Sequence, residues 1–209
     1  MTLPLSDIQI RVLGCLFEKQ HTTPDQYPLT LNALKNACNQ KSNRNPVTNY
    51  YEGELGKALN DLEGMELVKM EWSGRTQKYK QRLPQILDVQ HPAASILTVL
   101  MLRGPQTAAE IRNHCNRLHT FDDIDDVEYQ LTRLSEHEPA LTMQLPKQPG
   151  QKEQRYVQLL SGEPDIEAIA AATPIRSQST TKSALEERVS QLEQQVEELM
   201  ADLKARTKE

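Results

Sequence analysis

A chain of 209 residues with a net charge of −5 and 37% hydrophobic residues is long enough for one or two small domains, and it lacks the overall cationic excess of a protein that coats nucleic acid. Its three cysteines are odd in number and have no metal-ligand spacing, which excludes a disulfide scaffold and a zinc module. The start, MTLPLSDIQIR, has no basic segment leading into an apolar one, and the longest apolar run, 93–102, is too short to span a bilayer, so a cytoplasmic protein without a membrane partner is expected.

Ser6-Asp7 opens a helical pattern in which Ile8, Val12, Leu13 and Leu16 share a face, and the turn-rich stretch His21 to Pro28 closes it. Thr30 is placed to cap a second helix carrying Leu31, Leu34, Ala37 and Cys38. After the polar stretch 40–45, Pro46 marks a boundary, and Tyr51, Leu55, Leu59 and Leu62 predict a third helix ending near Gly64. The runs 67–72 and 76–83 flank Ser73-Gly74-Arg75 and predict a β-hairpin. Three helices followed by a hairpin is the order of a winged helix-turn-helix domain.

The same order returns over 94–103, 107–118, 124–137, 141–145 and 154–160, and the residues match as well. LKNACN at 34–39 becomes IRNHCN at 111–116, and QKYKQRL at 77–83 becomes QRYVQLL at 154–160, both at an offset of 77. Between them, Leu55, Leu59 and Leu62 recur as Val127, Leu131 and Leu134 at an offset of 72, so the loop lengths drift and compensate. Such ordered matches indicate an internal duplication, with each copy large enough for a small core.

Beyond Ser161 the chain becomes rich in Ala, Ser, Thr and Pro and reads as a linker, with a short helix suggested at 165–172. Leu185, Val189, Leu192, Val196, Leu199 and Leu203 then follow at spacings of 4, 3, 4, 3 and 4. This is a heptad seam, and its expected role is homodimerisation through a parallel two-stranded coil. The alternative is a single amphipathic helix lying on its own protein. The expected fold class is therefore α+β, mainly α: two tandem winged helix-turn-helix domains at 1–90 and 91–161, a linker at 162–182, and a C-terminal coiled-coil helix at 183–206.

Charge separates the two copies. Residues 1–90 hold 11 Lys and Arg against 10 Asp and Glu, while 91–161 hold 7 against 9. In the first hairpin, Lys78, Lys80 and Arg82 alternate with Tyr79, Gln81 and Leu83, so a strand places the cations on one face, and Arg75 sits at the turn. Lys41 and Arg44, among Asn39, Asn43, Asn45 and Asn49, form a second group of phosphate-capable donors. Lys41, Arg44, Arg75, Lys78, Lys80 and Arg82 are the expected nucleic-acid contacts; the competing reading is a solvated strand face and a polar loop. The third helix argues against base reading, because Glu52, Glu54, Asp61 and Glu63 repel phosphate, and Asp122, Asp123, Asp125, Asp126 and Glu128 crowd its counterpart in copy two.

Where copy one has Lys80 and Arg82, copy two has Val157 and Leu159. That apolar pair is expected to be covered, either by the first domain or linker or by a protein partner. Phosphate loops, nucleophile motifs and metal-spaced Cys/His sets are absent, so neither an enzyme nor a cofactor is expected.

The string LTLNALKNACNQKSNRNPVTNYYEGEL, followed by the strand pattern and second copy, closely resembles the YceH-type family of uncharacterised bacterial proteins. The resemblance covers about residues 5–162 and implies tandem winged-helix domains and a bacterial cytoplasmic origin. It brings no functional residue with it. The function expected from the sequence is that of a non-enzymatic, DNA-associated regulator contacting duplex backbone through the first copy; the alternative is a protein-interaction scaffold that binds no nucleic acid.

Overall fold

The computed structural model describes residues 4–147 and 151–166. The heptad seam from Leu185 to Leu203 and most of the suggested helix at 165–172 lie outside them.

Helix α1 (Asp7–Thr22) starts where Gln9 Oε1 reaches back to accept from Ser6 N at 2.9 Å. A short 3₁₀ turn (Pro24–Gln26) leads to α2 (Leu31–Cys38), whose first turn is capped by Thr30 Oγ1 accepting from Ala33 N at 3.2 Å. Then come α3 (Glu52–Gly64), β1 (Val68–Ser73), β2 (Thr76–Gln81) and a single turn, α4 (Leu83–Ile86). The second half runs α5 (His91–Arg103), α6 (Ala108–Cys115), α7 (Ile124–Ser135), β3 (Thr142–Gln144) and β4 (Tyr156–Gln158). Over the described residues the protein is thus mixed α/β and mainly helical, with two separate two-stranded antiparallel sheets.

The duplication is visible in the backbone. Thr30 and Thr107, 77 residues apart, cap α2 and α6 with nearly identical geometry, φ −73° and ψ 162° at both. Leu29 bridges Tyr79 in the first half, and Gln106 bridges Tyr156 in the second, so each hairpin gains the same third extended segment.

The centre is made by the two equivalent helices, α1 and α5, packed on each other. In α5 every residue from Ala93 to Leu102 is buried, the pattern of a helix enclosed on all sides. Its two hydroxyls are satisfied within the helix, Ser95 Oγ donating to His91 O and Thr98 Oγ1 to Ala94 O, so neither strands a polar group in the core. Gly14 permits the close approach: a Cβ there would lie 2.9 Å from Leu102 Cδ2 and 3.0 Å from Leu102 Cγ. One apolar cluster consequently joins residues of both copies, from Leu5 and Leu13 to Leu131 and Leu160. Leu5 N also donates to Leu160 O at 2.8 Å, tying the start of the first copy to the end of the second.

Candidate nucleic-acid interface

The first hairpin projects from a firmly held base. Leu29 and Tyr79 exchange backbone hydrogen bonds of 3.1 and 2.8 Å, Arg82 N donates to Leu67 O, and Gln81 N donates to the Tyr27 hydroxyl at 2.8 Å. Burial pushes the Tyr27 phenol up to about 12, so it stays protonated. At the tip, Ser73 pairs with Thr76 and leaves a two-residue loop, Gly74-Arg75. Gly74 has φ 65°, the conformation a tight hairpin of this length requires at its first loop position.

The register fixes the faces. Val68 pairs with Gln81, Met70 with Tyr79 and Trp72 with Gln77; at its base this face is buried, but Trp72 lies past the edge of the core and is 64% exposed. On the opposite face Lys69 pairs with Lys80, and Glu71 with Lys78. The like-charged Lys69 and Lys80 would repel across the strands, and Glu71 relieves this by reaching Lys80 diagonally at 2.7 Å. Lys80 is therefore partly neutralised. Lys69, a cation that the sequence reasoning passed over, is exposed on the same face; the fixed hairpin register was the signal that could have found it.

Two of the expected contacts sit elsewhere. Arg82 does not extend the cationic row: β2 ends at Gln81, and Arg82 is the residue that precedes α4, where Pro84 favours a helix start. Arg44 is not on the surface at all, being 6% exposed with all five of its N–H donors occupied. Nε donates to Ala37 O, one terminal nitrogen to Glu18 Oε1 (3.1 Å) and Asn43 O (2.8 Å), and the other to Glu18 Oε2 (2.5 Å) and Gln40 Oε1 (2.8 Å). Burial opposes its charge, but the Cys15 sulfur and the Glu18 carboxylate outweigh that and hold the guanidinium above its ordinary value.

The asparagines around it are also structural. Asn39 clamps both backbone groups of Tyr50, Asn43 Oδ1 accepts from Arg103 at 2.6 Å, and Asn45 Nδ2 donates to Arg103 O. Of this second group, Lys41 is an exposed cation.

The outer side of α3 is acidic. Glu52, Glu54, Asp61 and Glu63 are exposed beside Lys57, and Glu52 engages Lys35 at 2.5 Å. In the second copy Asp123 caps α7 by accepting from Asp126 N at 2.8 Å, so the aspartates there favour the helix start while repelling phosphate. That helix exposes Ile124 and Tyr129.

The second hairpin has the changed character its sequence implied. Val157 pairs with Met143 and is 7% exposed; Leu159 is half-buried. Arg155, at the position of Lys78, donates to Pro105 O at 2.9 Å and contacts Glu110 at 3.4 Å, so it is held against its own copy.

All three cysteines are buried free thiols. The Cys15 and Cys38 thiols neighbour each other beside Arg44 and Arg11, and Cys115 is pushed up to about 12 by burial. Among the described residues no group of three or more His, Cys, Asp or Glu is arranged to hold a metal ion, and no helix is long and apolar enough to cross a membrane.

Comparison with known proteins agrees with the resemblance seen in the sequence. The family described as "Protein of unknown function, DUF480" matches residues 5–151. A UPF0502 protein of Dechloromonas aromatica is 48% identical over 212 residues, covering 100% of this chain and 98% of that protein. Another, from Cellvibrio japonicus, is 44% identical over 201 residues, covering 95% and 92% respectively. A family match over residues 5–151 shows that the protein belongs to the DUF480 family, and across most of its length it is similar to the bacterial UPF0502 proteins.

Proposed function

We propose that the protein is a non-enzymatic, DNA-associated regulator built from two tandem winged-helix domains, in which the wing of the first domain, rather than its third helix, meets the duplex. The observation that carries this reading is the first hairpin: Lys69 and Lys78 on one face, Arg75 at the tip and an exposed Trp72 beyond the core. Three cations that make no ion pair among the described residues, although Glu71 stands opposite Lys78 in the register, suit backbone contact on a rigidly based projection. The acidic side of α3 turns that helix away from the major groove, so binding is expected to be weakly sequence-dependent. Pairing of chains through 183–206 would present two such wings to one duplex and raise the affinity without any new contact.

The second reading is a protein-interaction scaffold, favoured by the exposed Ile124 and Tyr129 on the acidic α7. Anisotropy of a labelled random duplex titrated with the full chain at low salt separates the two. Saturable binding supports the regulator, and none at low salt, where backbone contacts are strongest, transfers the case to the scaffold.

A further inference from the structure

Away from the hairpin, a cavity of about 210 Å³ opens at the seam between the two copies. Its walls come from the end of α1, the loop after α2, the end of α5 and the end of α6, so neither copy forms it alone. Lys19, Arg103 and Arg117 line it, together with Ser42 and with Thr22, whose hydroxyl donates to Glu18 O. The one acidic residue in the lining, Glu18, is already neutralised from behind by Arg44 and lies 3.6 Å from Lys19.

The two guanidinium groups are the informative ones. Arg103 donates to Asn43 Oδ1 at 2.6 Å and makes no ion pair among the described residues; Arg117 likewise makes none. Asn43 adopts a left-handed conformation, φ 59°, to reach Arg103, which holds that side chain at the wall instead of leaving it to solvent. His114, also in the lining, is held below its ordinary pKa by burial and then by Arg103, and its Nδ1 is engaged by Gln106 at 2.9 Å. A chain with net charge −5 therefore gathers three cations around one polar cavity and leaves two of them without an ion pair among the described residues, Glu18 acting on Arg103 only from beyond ion-pair distance.

We propose that this seam cavity is a binding site for a small free phosphate-class dianion, inorganic phosphate or a compact phosphomonoester, held by Arg103, Arg117 and Lys19. The planar forks of two arginines match the oxygens of such a group, and the Ser42 hydroxyl can donate to a further oxygen. The volume is below that of pockets built for drug-sized ligands, which suits a compact group. Occupancy would bridge side chains of both copies and so brace the seam.

The test is calorimetric titration of the full-length protein with inorganic phosphate at constant ionic strength, with chloride and succinate as controls. The expected result is saturable binding of phosphate, little of succinate, and an affinity about tenfold lower in R117Q, with R103Q as the second variant. Arg117 is exposed, so R117Q should melt like the wild type in chloride and its loss of binding is not a folding effect. Absence of a saturable phosphate response, or succinate binding as well as phosphate, overturns the assignment. It is also overturned if random duplex DNA displaces phosphate and R117Q weakens duplex binding as much as K78Q does, since the cavity then belongs to the nucleic-acid surface. Failure of duplex binding alone leaves this site standing.

Discussion

Replacing Glu18 with Gln leaves the guanidinium of Arg44 enclosed without its countercharge. The Arg44 side chain has no solvent exposure and that of Glu18 only 16%, so water cannot readily substitute. Removing one member of a buried ion pair costs about 3–5 kcal/mol. Gln retains one acceptor, and Ala37 O, Asn43 O and Gln40 Oε1 still serve the cation, so the lower end, about 3 kcal/mol, is expected. For a unit of this size that corresponds to a fall in Tm of about 6–12 °C. R44M removes the charge and leaves two backbone carbonyls short of a donor, at about 1–3 kcal/mol, while Glu18 keeps Lys19 and some solvent. The double variant E18Q/R44M should then be more stable than the two single losses added together, because neither charge remains to be stranded. Urea unfolding followed by far-UV circular dichroism measures all three; fluorescence is a poor reporter, since Trp72, the sole tryptophan, is at the exposed hairpin tip. An E18Q protein within about 0.5 kcal/mol of wild type would refute the reasoning, because Arg44 would then be reaching solvent and would return to the pool of phosphate donors.

Gly14→Val places branched carbons where even a Cβ lies 2.9 Å from Leu102, and should lower stability by about 1–3 kcal/mol in urea; a variant as stable as wild type would mean that α1 and α5 are not in close contact. His21 and His91 stack at a centroid distance of 4.5 Å, with His119 next to His91, and burial followed by the neighbouring imidazole holds both below 6.5. The unfolded chain takes up these protons at its ordinary value and the folded chain only at lower pH. The stabilisation is therefore present above about pH 6.5 and is lost as the pH falls from there through the folded-state values, so Tm should drop as the pH is lowered below about 6.5, and less steeply in H91Q. Truncation after Thr181 should convert a dimer into a monomer that keeps the helical circular dichroism of residues 4–166; a full-length monomer in sedimentation would contradict the coiled coil read from Leu185 to Leu203.

Local chemistry was legible in the sequence and long-range partners were not. The cap at Thr30, the helix start at Ser6-Asp7 and the hairpin turn at Ser73-Gly74-Arg75 depend on residues within three or four positions of each other, and the structure forms each of them where that chemistry placed it. The period-two alternation of Lys78 and Lys80 likewise survives as one strand face. Arg44 was misjudged because nothing within its polar stretch shows that Glu18, 26 residues earlier, closes over it. Arg82 was assigned to the strand although Pro84, two residues on, signalled the short helix α4. The seam cavity was invisible for the same reason as Arg44: Lys19 and Arg103 come from α1 and α5 and Arg117 from the turn after α6, and only the packing of α1 on α5 brings them together.

The wing-led contact with DNA is tested most directly by the salt dependence of duplex binding for wild type and for the triple variant K69Q/R75Q/K78Q. Each lost phosphate contact should make the slope of log K against log salt shallower by about 0.9, so the account predicts weaker binding to all sequences alike and a slope reduced by up to about 2.7. K80Q should change the slope much less, since Lys80 is already engaged by Glu71 at 2.7 Å. An unchanged slope in the triple variant, or no duplex binding by the wild type at low salt, would contradict it.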